Sequence, residues 1–162
     1  SVLFSLCNPG DGTDLDFVTG NPELARQRWQ EGFSEPLEIA LAQSTTAADA
    51  ETSPIMGAIQ EIVVERMGTE AERALPTRLY VASDFLENTE LFSMYVSGAD
   101  FTAWESSSSA VKYATNLAGA EVQLWSIKRS TAISSAEVAE FWAAWVLENR
   151  GKFVNAIALQ GL

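Results

Sequence analysis

Four short apolar runs with turn residues at their ends set the tightest limit on how this chain can fold: Val2–Cys7, Arg78–Ala82, Val122–Ile127 and Phe153–Leu159. Strands this hydrophobic fit a parallel sheet buried on both faces better than one with a solvated side. Helical signals fall between them. Asn21-Pro22-Glu23 supplies a capping side chain, a proline at the first helical position and an acid in the first turn, ahead of Leu24, Arg28, Trp29 and Phe33. Ser34-Glu35-Pro36 predicts a kink or second cap before Leu37–Leu41, and residues 43–52 are small and polar, which predicts a loop. Ser53-Pro54 repeats the cap and proline, and Ile55, Ile59, Ile62, Val63 and Met67 then line one helical face that Gly68 ends.

The next strand enters through Pro76 and closes at Ser83-Asp84, with Phe85–Asn88 running into a loop. One or two short helices are expected over residues 100–117, around Phe101, Trp104, Val111, Tyr113 and Leu117. After the third strand, Ser134 or Ser135 caps a helix whose Val138, Phe141, Trp142, Trp145 and Val146 follow the i, i+3, i+4, i+7, i+8 template, with Gly151 expected at C′. Strands alternating with helices in this order predict an α/β fold: an open, mostly parallel, doubly wound sheet with helices on both faces.

Composition narrows function. The 162 residues suit one domain, and 22 acidic against 10 basic side chains give a net charge of −12, which repels phosphate backbones and argues against nucleic acid. With no histidine, imidazole-based zinc sites and Ser-His-Asp or Cys-His catalysis are ruled out. The single Cys7 cannot pair within the chain and reads as a buried thiol, and no apolar run reaches the roughly 20 residues that span a bilayer.

Ligands of open α/β sheets sit at the carboxyl ends of the strands, so Asp84, directly after the second run, is the leading candidate to hold a hard cation through oxygen. Ser83-Asp84 equally fits a turn capped by its own side chains, and Ser53 can cap the helix at Pro54, coordinate a metal, or do both. Asp11, Thr13, Asp14 and Asp16 alternate oxygens but lack the glycine and closing glutamate of an EF-hand, so a solvated turn is the simpler reading. Glu23, Glu31, Glu35 and Glu38 read as exposed helix charges, and Gly10 and Gly12 do not form a phosphate loop. Phe141, Trp142 and Trp145 read as core.

The element order, the Thr52-Ser53-Pro54 opening with Ile55 and Ile59, the step Leu79-Tyr80-Val81-Ala82-Ser83-Asp84, and the late Phe141-Trp142 helix followed by Gly151 and a last strand together resemble a von Willebrand factor A-type domain. That family binds magnesium or a similar divalent cation through Asp-x-Ser-x-Ser, a Thr from a second loop and an Asp from a third. The resemblance implies that Ser53 or Thr52 stands for the Thr and Asp84 for the third-loop Asp. No Asp-x-Ser-x-Ser occurs here; Asp11-Gly12-Thr13-Asp14-Leu15 comes nearest and fails at its last position. Val2–Cys7 matches the second strand of the pattern, so the first central strand and first helix are expected to lie outside this chain, in a longer domain or on a second chain that completes the sheet.

The expected function is a non-enzymatic protein-interaction module in which Mg2+ or a similar cation bridges Ser53, Asp84 and an acidic side chain of a protein partner. Two alternatives stand beside it: a scaffold that binds partners without cation, and a metal-assisted hydrolase using Asp11, Asp14 and Asp84.

Overall fold

A computed structural model describes residues 8–14, 20–39, 52–127 and 131–159. The chain divides into two compact units, residues 1–50 and 51–162. The expected strand at Val2–Cys7, the acid Asp16 and most of the 43–52 loop lie outside the described residues.

In the first unit, Asn21 caps α1 (Pro22–Trp29) by accepting the Leu24 N–H at 3.1 Å, as the sequence predicts. The expected break before Pro36 takes a different form. The chain passes from α1 into a π-helical turn, Gln30–Ser34, and stays helical over residues 35–39. Widening the ladder at the point where proline removes an N–H lets the helix continue instead of stopping.

The second unit carries the sheet. Its strands β1 (Arg78–Ser83), β2 (Glu121–Ile127) and β3 (Lys152–Leu159) are all parallel and lie in the order β1-β2-β3. Ahead of β1 come α2 (Ile55–Arg66) and the short α3 (Glu70–Arg73), closed by a Thr69–Glu72 capping box. Three short helices, α4 (Met94–Ser97), α5 (Phe101–Glu105) and α6 (Ser108–Lys112), connect β1 to β2, and α7 (Ser135–Glu148) connects β2 to β3.

The α7 pattern is realised in full: Val138, Phe141, Trp142, Trp145 and Val146 are all buried, behind a Ser134–Glu137 capping box. They join Val122 and Leu124 of β2, Ile55, Met56, Ile59 and Val63 of α2, and Phe85, Phe92 and Trp104 in one hydrophobic core. Aromatic rings knit it together: Phe92 stacks on Phe141 at 5.7 Å, and Trp142 meets Phe85, Phe141 and Trp145 edge to face.

Three local expectations change. Ile62 is exposed and Met56 is buried in its stead, because the buried stripe of α2 is centred on Ile59 and Val63 and Ile62 falls at its margin. Val111 is 83% exposed, on the outer side of the short α6. At the end of α7 the left-handed C′ position is held by Arg150 (φ 61°), not by Gly151, whose N–H closes the motif by donating to Val146 O at 2.8 Å. Gly151 is needed for space instead, since a Cβ there would stand 2.7 Å from Leu117 Cδ1 and 2.8 Å from Val146 Cγ1.

The mixed α/β class with a parallel, open sheet is as expected. Helix layers on both faces are not formed by the described elements of this unit. When parallel strands are laid down in sequence order, right-handed crossovers bring every connection onto the same face. Leu79, Val81, Val122, Leu124 and Phe153 accordingly point into the core. On the other face Tyr80 (50%), Trp125 (37%) and Ile157 (41%) remain exposed, with Ile127 and Val154. The strands are apolar on both sides, but this unit's own connections cover only one.

Candidate functional site

The carboxyl end of β1 is built around a tight reversal. Phe85 sits at φ 60°, a left-handed conformation that costs a non-glycine residue about 1–2 kcal/mol. Neighbouring groups hold it there. Ser83 Oγ accepts the Phe85 N–H at 3.1 Å, Asp84 Oδ1 accepts the Leu86 N–H at 3.1 Å, and the Trp142 indole Nε1 donates to Phe85 O at 2.8 Å. Asp84 is therefore where the sequence placed it, and its carboxylate serves the turn, as the capping reading requires.

Beyond the turn the chain continues as the expected loop, tied down at Asn88. Asn88 exchanges both main-chain bonds with Ser53, Ser53 N to Asn88 O at 2.8 Å and Asn88 N to Ser53 O at 3.0 Å. Ser93 adds a second bridge to Asn88, and its hydroxyl donates to Asn88 Oδ1 at 2.7 Å. Ser53 thus pairs with Asn88, which lies on the same connection as Asp84. Ser53 does not cap α2, however: Pro54 occupies the N-cap position, and no side chain of its own closes that helix start.

Glu87 closes it. This carboxyl is 0% exposed, and its Oε2 accepts the Met56 N–H at 3.0 Å from 31 residues away. Its main-chain O also accepts the Met94 N–H at 2.9 Å, so one residue joins the β1 connection to the starts of α2 and α4. Burial pushes the carboxyl up to about 7, while the Met56 and Ile55 N–H groups pull the other way. Oε1 is buried and has no hydrogen-bond partner.

Glu87 is not among the residues that the sequence singles out, because Phe85–Asn88 reads as a loop. One signal was present. The first turn of α2 carries no acidic residue of its own and its N-cap position is a proline, so its free N–H groups need an acceptor from elsewhere in the chain.

The donor set for a divalent cation is thin. Hard cations take six or more oxygens, and among the described residues no group of three or more His, Cys, Asp or Glu could hold a metal ion. In the other unit Asp11 bonds the Thr13 N–H at 3.0 Å and its hydroxyl at 2.7 Å, which lowers its pKa. That is the solvated turn expected of this segment. Among the described residues no helix is long and apolar enough to cross a membrane. Comparison with family models, with curated proteins and with solved structures found no match for this chain.

Proposed function

We propose that this chain is a non-enzymatic protein-interaction module, related to von Willebrand factor A-type domains, that receives a protein partner on the open face of its sheet. The observation that carries this reading is the exposure of Tyr80, Trp125, Ile127, Val154 and Ile157 on one face. Parallel sheets are normally covered on both sides by helices, and contiguous exposed apolar side chains mark interaction sites. The occupant that fits is an amphipathic helix of a partner protein, laid across the strands with its apolar stripe on Trp125 and Ile157. The ring pair Tyr80–Trp125, 5.4 Å between centroids, supplies the kind of aromatic anchor that dominates binding energy. β1 also pairs on one side only in the described sheet, which leaves a strand edge next to the same face.

The test is a double variant, Trp125→Ser with Ile157→Ser, compared with the parent chain by crosslinking and mass spectrometry in its native extract. Crosslinks that map to the open face and vanish in the variant, at unchanged unfolding midpoint, support the reading. Crosslinks that persist in the variant sink it.

The cation-dependent form of this function draws on Asp84 directly after β1 and on Ser53, which pairs with Asn88 of the same connection. Mg2+ or a similar cation held there would need further oxygens from the partner, such as an acidic side chain. Calorimetric titration with magnesium and manganese, with and without partner, decides between this form and cation-free docking; chelator-insensitive binding removes the cation from the account.

A further inference from the structure

Glu87 is the one residue in this edge whose chemistry the interaction reading leaves unused. Its carboxyl is wholly buried, holds the first turn of α2 through Met56 N–H, and leaves Oε1 without a partner. The ionisable groups on the elements bonded to it include Tyr95 of α4, which is exposed. Glu61, Glu65 and Arg66 of α2 and Glu90 of its own connection are exposed, while Asp84 is turned into the Phe85 reversal. Among the described residues the groups that act on the Glu87 carboxyl are the Met56 and Ile55 N–H groups, not a charged side chain.

We infer that Glu87 is a proton-operated clasp, which fastens the connection after β1 to the start of α2 while it carries a proton and loosens that connection when it loses it. A neutral carboxyl accepts the Met56 N–H without placing a charge in the core. The ionised form buries a charge with one oxygen unsatisfied, and opening the segment to water relieves that penalty. The segment that opens contains the Ser53–Asn88 pairing and the Asp84 turn, so the carboxyl edge becomes mobile as pH rises through neutrality. The direction follows from burial, which raises this carboxyl to about 7, against an ordinary value of 4.5 regained on opening.

Hydrogen exchange on the whole chain tests the clasp. The Met56, Asn88 and Met94 amides are followed from about pH 5.5 to about pH 8.5, corrected for the intrinsic base catalysis of exchange, with Leu124 in β2 as the reference for global unfolding. Their protection should fall by about 30-fold over this range, the ratio expected when a proton held to about 7 is released on opening. It should also lie below that of Leu124 throughout. Glu87→Gln keeps the acceptor oxygen and carries no charge, so its protection should be flat with pH. Carbon-detected titration of the Glu87 carboxyl in the parent protein gives a readout that needs no variant, with a midpoint near neutrality. A midpoint below about 5, protection equal to that of Leu124, or a fall of the same size in Glu87→Gln would each overturn the clasp.

Discussion

Trp142 and Trp145 lie one turn apart on α7 and are both 0% exposed, yet only one of them has a hydrogen-bond partner. Trp142 Nε1 donates to Phe85 O at 2.8 Å, while Trp145 Nε1 is buried without an acceptor. Replacing either by phenylalanine removes two ring carbons and the indole nitrogen, and the carbons alone carry a transfer loss of about 1.5 kcal/mol at about 0.8 kcal/mol per buried carbon. In Trp142→Phe the buried Phe85 carbonyl also loses its donor, which adds about 1–3 kcal/mol, for a total near 3 kcal/mol. In Trp145→Phe the substitution removes an unsatisfied donor, so the same bookkeeping gives back about 1 kcal/mol and leaves a cost below about 1 kcal/mol. Urea unfolding followed by far-UV circular dichroism measures both. At a slope of about 2 kcal/mol per M, Trp142→Phe should shift the midpoint down by about 1.5 M and Trp145→Phe by less than about 0.5 M, with slopes unchanged. Equal shifts, or a larger one for Trp145→Phe, would refute the idea that the indole bond is what pins the left-handed turn at Phe85.

Glu87→Gln should change the pH dependence of global stability. Between 4.5 and about 7 the folded chain keeps a proton that the unfolded chain has released, so stability falls with rising pH across that window and levels off above it. The fall assigned to this group is about 3 kcal/mol; unfolding curves at pH 5 and pH 8 should diverge in the parent and converge in the variant. Arg150→Gly relieves the left-handed conformation after α7 and should stabilise the protein by about 1 kcal/mol, read as a rise in thermal midpoint. Gly151→Ala should lower that midpoint by an amount equivalent to about 1–3 kcal/mol, because its methyl would meet Leu117 and Val146 inside contact distance.

Much of the secondary structure could be read along the chain because its causes are short-range. The Asn21 cap, the Ser134 cap with Glu137 three residues on, and the buried stripe of α7 all depend on neighbours within one or two turns. The strand assignments follow from short hydrophobic runs bounded by turn residues. Sequence and structure differ at the margins of such patterns. Ile62 and Met56 exchange places at the edge of the α2 stripe, and Arg150 rather than the adjacent Gly151 takes the left-handed position.

The site was legible only as a location. The position of Asp84 after β1 could be read directly, and Ser53 could be singled out by the proline that follows it, but the pairing of Ser53 with Asn88 could not. Tertiary structure alone decided that Glu87, 31 residues from Met56, would cap α2 from inside the core. It also decided which face of the sheet would be left open. Caps and periodicity are written in residues that touch along the chain. The burial of a carboxyl and the covering of a sheet face depend on segments far apart in sequence, whose approach is set by the sum of all packing contacts and by the handedness of the crossovers.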